Sequence, residues 1–529
     1  FTFDSNEARR TARLGQTLYI TGGEILQYDG TQITEVGFHI YPHTIIFGST
    51  TGAMIDGTYA YRQTWRWDNA RGEIDRSTTA THGVVATSGG PEGVTLDWVP
   101  LYTTHKTNRP IAVETWRTTI NPPPDSPFYL VTSKDPADTT PPNQYLPNAP
   151  TLAAGDQFDD ALVDTDITSN ETSAENGDLL EPLAPPPATI IHATADRIFL
   201  AGVAGDPHRV WYSRQRQDGE VASFHDALTV PVPRQGGDIT AIAVRDGVLY
   251  VWRETAVYAL PGDGFDNLGG GQNFGPARLL SSDVGCVSME ALAQTSGGFV
   301  FKSSKGWYAL EGGAPQYIGD KISDYDSEAV AAVHVLEGQH QIRVLLASAR
   351  MLVYDTNVQQ WAEWTVSNGL HACLWNGTYH YLATASVLAE LATYTGVTYG
   401  MDIETAWIPL GNVQGYGRVW EINILGECRS ANYLRVRLAR NWNDDYFQDK
   451  NWTLSPTTVG DPMQVKHRPS IQEMQAVKIR ISAVDLIAGE DPDVLVPTYP
   501  TDDVFKLSHL ALEIGVERRL ARLPVAQTQ

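Results

Sequence analysis

The side chains able to do chemistry are thinly spread in this chain. Acids come as adjacent pairs at Asp159-Asp160, Asp444-Asp445 and Asp502-Asp503. Paired carboxylates can share acid/base work or hold Ca²⁺, but neighbours on a strand point to opposite faces, so each pair reads as solvated loop acids. His371 and Cys373, two apart, share one face of a strand and are of zinc-ligand type. No second ligand pair accompanies them, so a packed strand with one satisfied histidine is expected and no metal. His39 and His43 flank Pro42 and mark a linker. Arg518, Arg519 and Arg522 make a basic cluster that is expected to serve a surface or subunit contact rather than phosphate.

Catalytic signatures are missing. The sequence has no GxSxG elbow, Walker A loop, HExxH or EF-hand loop. Gly269-Gly270-Gly271 lacks the strand-to-helix setting of a nucleotide fingerprint. Ser281-Ser-Asp283-Val-Gly285-Cys-Val287 partly matches the Asp-box turn Ser-x-Asp-x-Gly-x-Thr of sialidase-type propellers, with Val287 in place of Thr. In that turn the Asp is structural, accepting hydrogen bonds from the backbone. No carboxylate pair or Tyr nucleophile beside an arginine cluster can be assembled from the sequence. No catalytic residue, cofactor or metal site is assigned, and the chain is expected not to be an enzyme. Cys286, Cys373 and Cys428 are odd in number and far apart, so three buried thiols in a reducing cytoplasm are expected rather than disulfides.

These residues must be carried by many short elements. The chain has 529 residues, 46 Gly and 31 Pro, with 42% hydrophobic but only 19% charged side chains. Such a chain can bury real cores and does not read as a coiled coil or helical repeat. Acids outnumber bases, 62 to 38, for a formal net charge of −24. A surface this acidic repels phosphate, which excludes a DNA grip but allows a wall that DNA slides past. No run of 18 apolar residues is present, so no membrane-spanning helix is expected. No signal peptide is seen, and because Phe1 rather than Met comes first, further upstream sequence is expected.

A loose repeat organises the chain: an alternating strand, a Gly turn, then a strand carrying Tyr or Trp. Examples are Gln16–Gly30, Ile190–Ser213, Ile239–Leu260, Gly297–Gly319, Ala331–Trp364 and His371–Leu391. Asp246-Gly247 and Asn376-Gly377 are strong hairpin signals. Units of this kind predict propeller blades, whose faces are covered only by neighbouring blades. The expected fold is all-β: a β-propeller core with an inserted fibronectin-like β-sandwich and a C-terminal β-sandwich. Residues 1–51 form the first propeller segment, 52–188 the insertion, 189–400 the remaining blades and 401–529 the C-terminal domain. Five short strands are read in the insertion, with Trp65 and Trp67 on one buried face rather than as exposed interface anchors. No Lys or Arg occurs between Asp135 and Asp196, so 155–181 reads as an exposed acidic loop that a protease cuts first.

The blade sequences Val248–Leu260, Asp283–Ser288, Gly297–Ser303, Gly306–Leu310 and Tyr317–Asp320 resemble those of propeller-type structural proteins of tailed-phage virions. The insertion from Tyr59-Ala-Tyr61 to Gly72-Glu73 is similar to insertions in the same proteins. Within that group the closest role is the tail nozzle, or tail tubular, protein of short-tailed phages. The resemblance spans residues 10 to 400 loosely and 237 to 325 best. It implies a homo-oligomeric ring, typically a hexamer, in the virion tail, assembled in the host cytoplasm. The ring would dock an adaptor and fibres and pass double-stranded DNA through an acidic channel without specific binding. A carbohydrate-binding or sialidase-like propeller acting on host glycans, and a monomeric interaction scaffold, are the alternative readings.

Overall fold

The computed structural model describes residues 9–79, 83–148, 157–173, 179–366, 369–383, 386–389, 401–410, 416–429, 431–458, 460–484 and 505–516. The chain divides into two compact units, Phe1–Glu390 and Leu391–Gln529. In the first, the described residues form six antiparallel meander sheets besides those of an insertion. Five have four strands in chain order, over residues 11–35, 190–231, 239–281, 292–317 and 330–365, and the sixth, over 369–389, has three among the described residues. Each is a meander of the kind that makes a propeller blade. The predicted hairpin pairs form as expected: Asp246 and Gly247 have φ of 52° and 70°, Asn376 and Gly377 49° and 77°.

Period-2 alternation explains why the blades stack. Ile191 joins Leu14 and Tyr19 in the core between blades 1 and 2, while its neighbour Ile190 joins Leu249 and Val251 between blades 2 and 3. The same division places Ala241 with Phe299 and Phe301 between blades 3 and 4, and Val300 and Trp307 with Ile342 and Val344 between blades 4 and 5. Leu345 and Met351 then meet Ala372 and Tyr379 between blades 5 and 6. Among the described residues five apolar seams thus link six blades, and one blade alone would leave two such faces in water.

Between blades 1 and 2 the chain builds a second core around Tyr59, Tyr61, Trp65, Trp67, Trp98 and Phe158. Eight strands among the described residues surround it, in sheets of five and three. The sequence suggested five, and the differences have a physical origin. The strand Thr44–Met54 pairs with Glu92–Trp98, so the chain has left the propeller before residue 44 rather than at 52. Gln157–Asp160, assigned from composition to an acidic loop, is an edge strand on Glu92–Trp98 with Phe158 fully buried. The short helix Asp164–Ile167 buries Ile167. Acidity hid two apolar anchors there.

In the unit Leu391–Gln529, one sheet is led by the long strand Gly417–Cys428 and the other by Asn432–Arg440 and Ala476–Val484. Ile422 and Ile424 of the first sheet pack with Leu434, Val436, Ile479 and Ile481 of the second in a single core, a β-sandwich.

Candidate functional site

The densest polar chemistry lies where the inserted domain sits on blades 1 and 2. It starts from a turn. Asn69 Oδ1 accepts from the backbone N–H groups of Arg71 and Glu73 at 2.9 Å, and Gly72 takes a φ of 78°. That tip meets blade 1: Ala70 N donates to Asp29 Oδ2 at 2.9 Å and Thr17 Oγ1 to Glu73 Oε2 at 2.8 Å. The following strand, Ile74–Arg76, meets the chain of blade 2. Ile74 N donates to Gly219 O at 2.8 Å and Val221 N to Ile74 O at 3.1 Å.

Two charged groups occupy this junction. In the first, the Lys106 side chain is fully buried and donates to the carbonyls of Glu35 (2.9 Å) and Gly37 (2.6 Å). Its Nζ stands 3.3 Å from Glu35 Oε1 and 3.4 Å from Asp75 Oδ2, beneath the rings of Phe38 and Trp67. In the second, Glu114 is buried and accepts from Arg66 at 3.2 Å and Arg76 at 2.9 Å, and Arg76 also pairs with Glu171 at 3.2 Å. A cavity of about 100 Å³ opens beside it, lined among others by Arg76, Arg214, Glu171, Glu181, Glu220 and Trp116. Charges desolvated this far hold their geometry, because breaking any pair strands an ion in low dielectric.

The residues singled out from the sequence are not brought together. Asp159 lies on the outer face and bonds Thr95 Oγ1 at 2.6 Å. Asp160 is no solvated loop acid: it is fully buried, accepting from Arg117 at 2.9 Å and Tyr61 at 2.8 Å. Asp444, exposed, pairs with Lys478 at 3.1 Å. Asp502-Asp503 and Arg518, Arg519 and Arg522 lie outside the described residues. His371 and Cys373 do share a face of blade 6, but it is exposed rather than packed. Three buried thiols were expected, and only Cys286 and Cys428 are buried. Among the described residues no cluster of three His, Cys, Asp or Glu could hold a metal ion. His39 pairs with Glu24 at 2.6 Å. Trp65 and Trp67 are core, each 1% exposed.

The Asp-box-like turn is built differently from its pattern. Ser281 Oγ accepts from the backbone N–H groups of Asp283 and Val284, while the exposed Asp283 side chain reaches Lys305 at 2.5 Å. Sequence reasoning missed Lys106, Asp75, Glu35 and Arg117. Lys106 sits in the polar run Tyr102–Asn108 and nothing local marks it. A faint signal did exist for Arg117. The strand Ala112–Arg117 is buried at all six positions, so Glu114 and Arg117 inside it had to be paired.

No protein-family model and no curated protein matches the chain. Solved structures similar to it include BamB from Moraxella catarrhalis, 12% identical over 73% of this chain and 94% of that one, with a TM-score of 0.27. An exo-β-1,3-galactanase from Phanerochaete chrysosporium is 9% identical over 96% and 95% of the two chains, with a TM-score of 0.21. The galactanase is an enzyme, and the expectation that this chain is not one is withdrawn on that finding. Likeness of this degree transfers neither residues nor an activity. The class defined by the sheets themselves is a β-propeller carrying an inserted and a C-terminal β-sandwich. Among the described residues no helix is long and apolar enough to cross a membrane.

Proposed function

We propose that this chain is a ring-forming structural subunit of a phage tail, of the kind that builds the nozzle of a short tail. The observation that carries the reading is an inserted sandwich clamped to blade 1 by the buried Lys106–Glu35 ion pair and to blade 2 by the backbone hydrogen bonds of Ile74, in a chain with a net charge of −24. Clamped in this way, the insertion is a rigid extension of the propeller and suits load-bearing contacts with copies of the chain, an adaptor and fibres. Exposed acids such as Asp218, Asp246 and Asp320 give the surface a sign that repels DNA phosphates, so that a duplex passes without sticking. Light scattering and negative-stain microscopy of the native particle test the reading. A closed ring of about six copies is the expected result. A stable 58.1 kDa monomer at all concentrations overturns it.

A second reading, a glycan-binding propeller, is favoured by the junction cavity. There Trp116 offers an aromatic wall and Arg76, Arg214 and three glutamates offer hydrogen-bond partners for hydroxyl groups. Binding on a glycan array that is lost in Arg214→Ala would support it.

A further inference from the structure

The Lys106 cluster has a composition that salt bridging does not require. An amine and two carboxylic side chains meet with almost no water: Lys106 is 0% exposed, Asp75 3% and Glu35 6%. The aromatic rings of Phe38 and Trp67 lie 4.5 and 5.7 Å from Nζ. A neutral amine has two N–H bonds and one lone pair. The carbonyls of Glu35 and Gly37 take two N–H bonds, and what remains faces the carboxylic groups 3.3 and 3.4 Å away.

The two acids are not equivalent. Asp75 Oδ2 accepts from Gln27 Nε2 and from the Gly37 backbone N–H, both at 3.1 Å. Two fixed donors on that oxygen are placed to stabilise negative charge developing on it, as an oxyanion hole does. Burial raises the Asp75 pKa and Lys106 only partly offsets this, which eases its passage to the neutral, electrophilic acid form. Glu35 is also pushed up by burial, but Lys106, the Thr104 hydroxyl at 2.5 Å and the His105 N–H at 3.0 Å hold it below the usual range, as a carboxylate.

We propose that Lys106 and Asp75 join in an intramolecular isopeptide bond, with Glu35 as the proton carrier. A proton passes from the Lys106 ammonium to Asp75, leaving a neutral amine and a neutral acid. Nζ attacks Asp75 Cγ and forms the C–N bond. Glu35 takes the proton that nitrogen sheds and delivers it to the departing hydroxyl, so that one C–O bond breaks and one water leaves. No oxidant, cofactor or activated group is needed. Holding the partners this close supplies the effective concentration that free amines and acids lack in water. The bond would tie the strand Ile74–Arg76 to the connector ahead of Ala112–Arg117, within the inserted domain. Its proton carrier comes from blade 1, on the strand Ile33–Glu35, so the reaction waits until the domain has docked. The proposal does not rest on the phage-tail reading.

The intact mass of the purified full chain, measured under denaturing conditions, tests it. The wild type is expected to be lighter than its sequence requires by one water. Tryptic digestion should give a branched peptide joining Asp75 to Lys106, with no cleavage after Lys106. Glu35→Gln, folded by circular dichroism, should keep the full mass. A folded wild type of full mass overturns the proposal. So does a lost water confined to Asp75 as a succinimide, with normal cleavage after Lys106. Cross-linking in Glu35→Gln to the wild-type extent overturns the role given to Glu35.

Discussion

The Arg117 guanidinium and the Asp160 carboxylate, both fully buried, meet at 2.9 Å between the two sheets of the inserted domain. Tyr61 donates to the same carboxylate at 2.8 Å, and Arg117 also reaches the Leu162 carbonyl at 2.9 Å and Asp164 at 3.1 Å. Removing one partner leaves an uncompensated charge, which costs about 3–5 kcal/mol. Asp160→Asn and Arg117→Ala should each lower unfolding stability by that order in chemical denaturation. Replacing both, with Arg117→Met and Asp160→Leu, should lose less than either single change, because no ion is then stranded. A double variant as unstable as the sum of the two would refute the account.

His192 governs an acid-sensitive seam. Its Nε2 accepts the Val244 backbone N–H at 3.1 Å, tying blade 2 to blade 3, and burial pulls its pKa from 6.5 down to about 4. Between those values the unfolded chain binds a proton that the folded chain refuses. The stabilisation is therefore complete above pH 6.5 and is lost as pH falls towards 4. Each pH unit crossed in that interval removes about 1.4 kcal/mol, so the whole loss is on the order of 3 kcal/mol. Hydrogen exchange at the Val244 amide should quicken at pH 5 relative to pH 7, after correction for the intrinsic rate. His192→Gln keeps an acceptor without the titration and should flatten this dependence.

How far the sequence carried these conclusions can be judged residue by residue. Alternation in segments such as Ile239–Arg245 and Val248–Arg253 shows two buried faces, and two buried faces require stacked blades. Trp65 and Trp67 were readable as core for the same reason. The edge strand Gln157–Asp160 was not readable, since one buried Phe158 among acids carries no period. Nor was the Lys106 cluster, whose members come from positions 35, 75 and 106 and meet only after the insertion docks. Long-range pairing of isolated charges leaves no local mark on a sequence.

Gly285 makes a close approach that only glycine permits. A Cβ there would lie 2.0 Å from the Arg253 carbonyl oxygen and 2.6 Å from the Glu254 carbonyl carbon. The next residue, Cys286, donates its backbone N–H to that same Arg253 oxygen at 2.9 Å, joining the segment before blade 4 to blade 3. Gly285→Ala must push the segment away and is expected to destabilise by about 1–3 kcal/mol. Gly271→Ala has open space around its Cβ and meets only the strain of its φ of 79°. Thermal unfolding of the two variants should therefore rank Gly285→Ala as the more damaging.

The three thiols should separate cleanly by reactivity. Cys286 lies in the core between blades 3 and 4, and burial pushes its pKa up to about 12, so almost no thiolate exists at neutral pH. Cys428 is sealed in the core of the C-terminal sandwich. Cys373 is exposed on blade 6, opposite His380 across the strand pair. A thiol reagent applied to the native protein should label one site quickly, and Cys373→Ser should remove that phase. Labelling should reach all three only after unfolding. Fast native labelling that persists in Cys373→Ser would mean that the blade 3–4 seam around Cys286 or the sandwich core around Cys428 opens on the timescale of the assay.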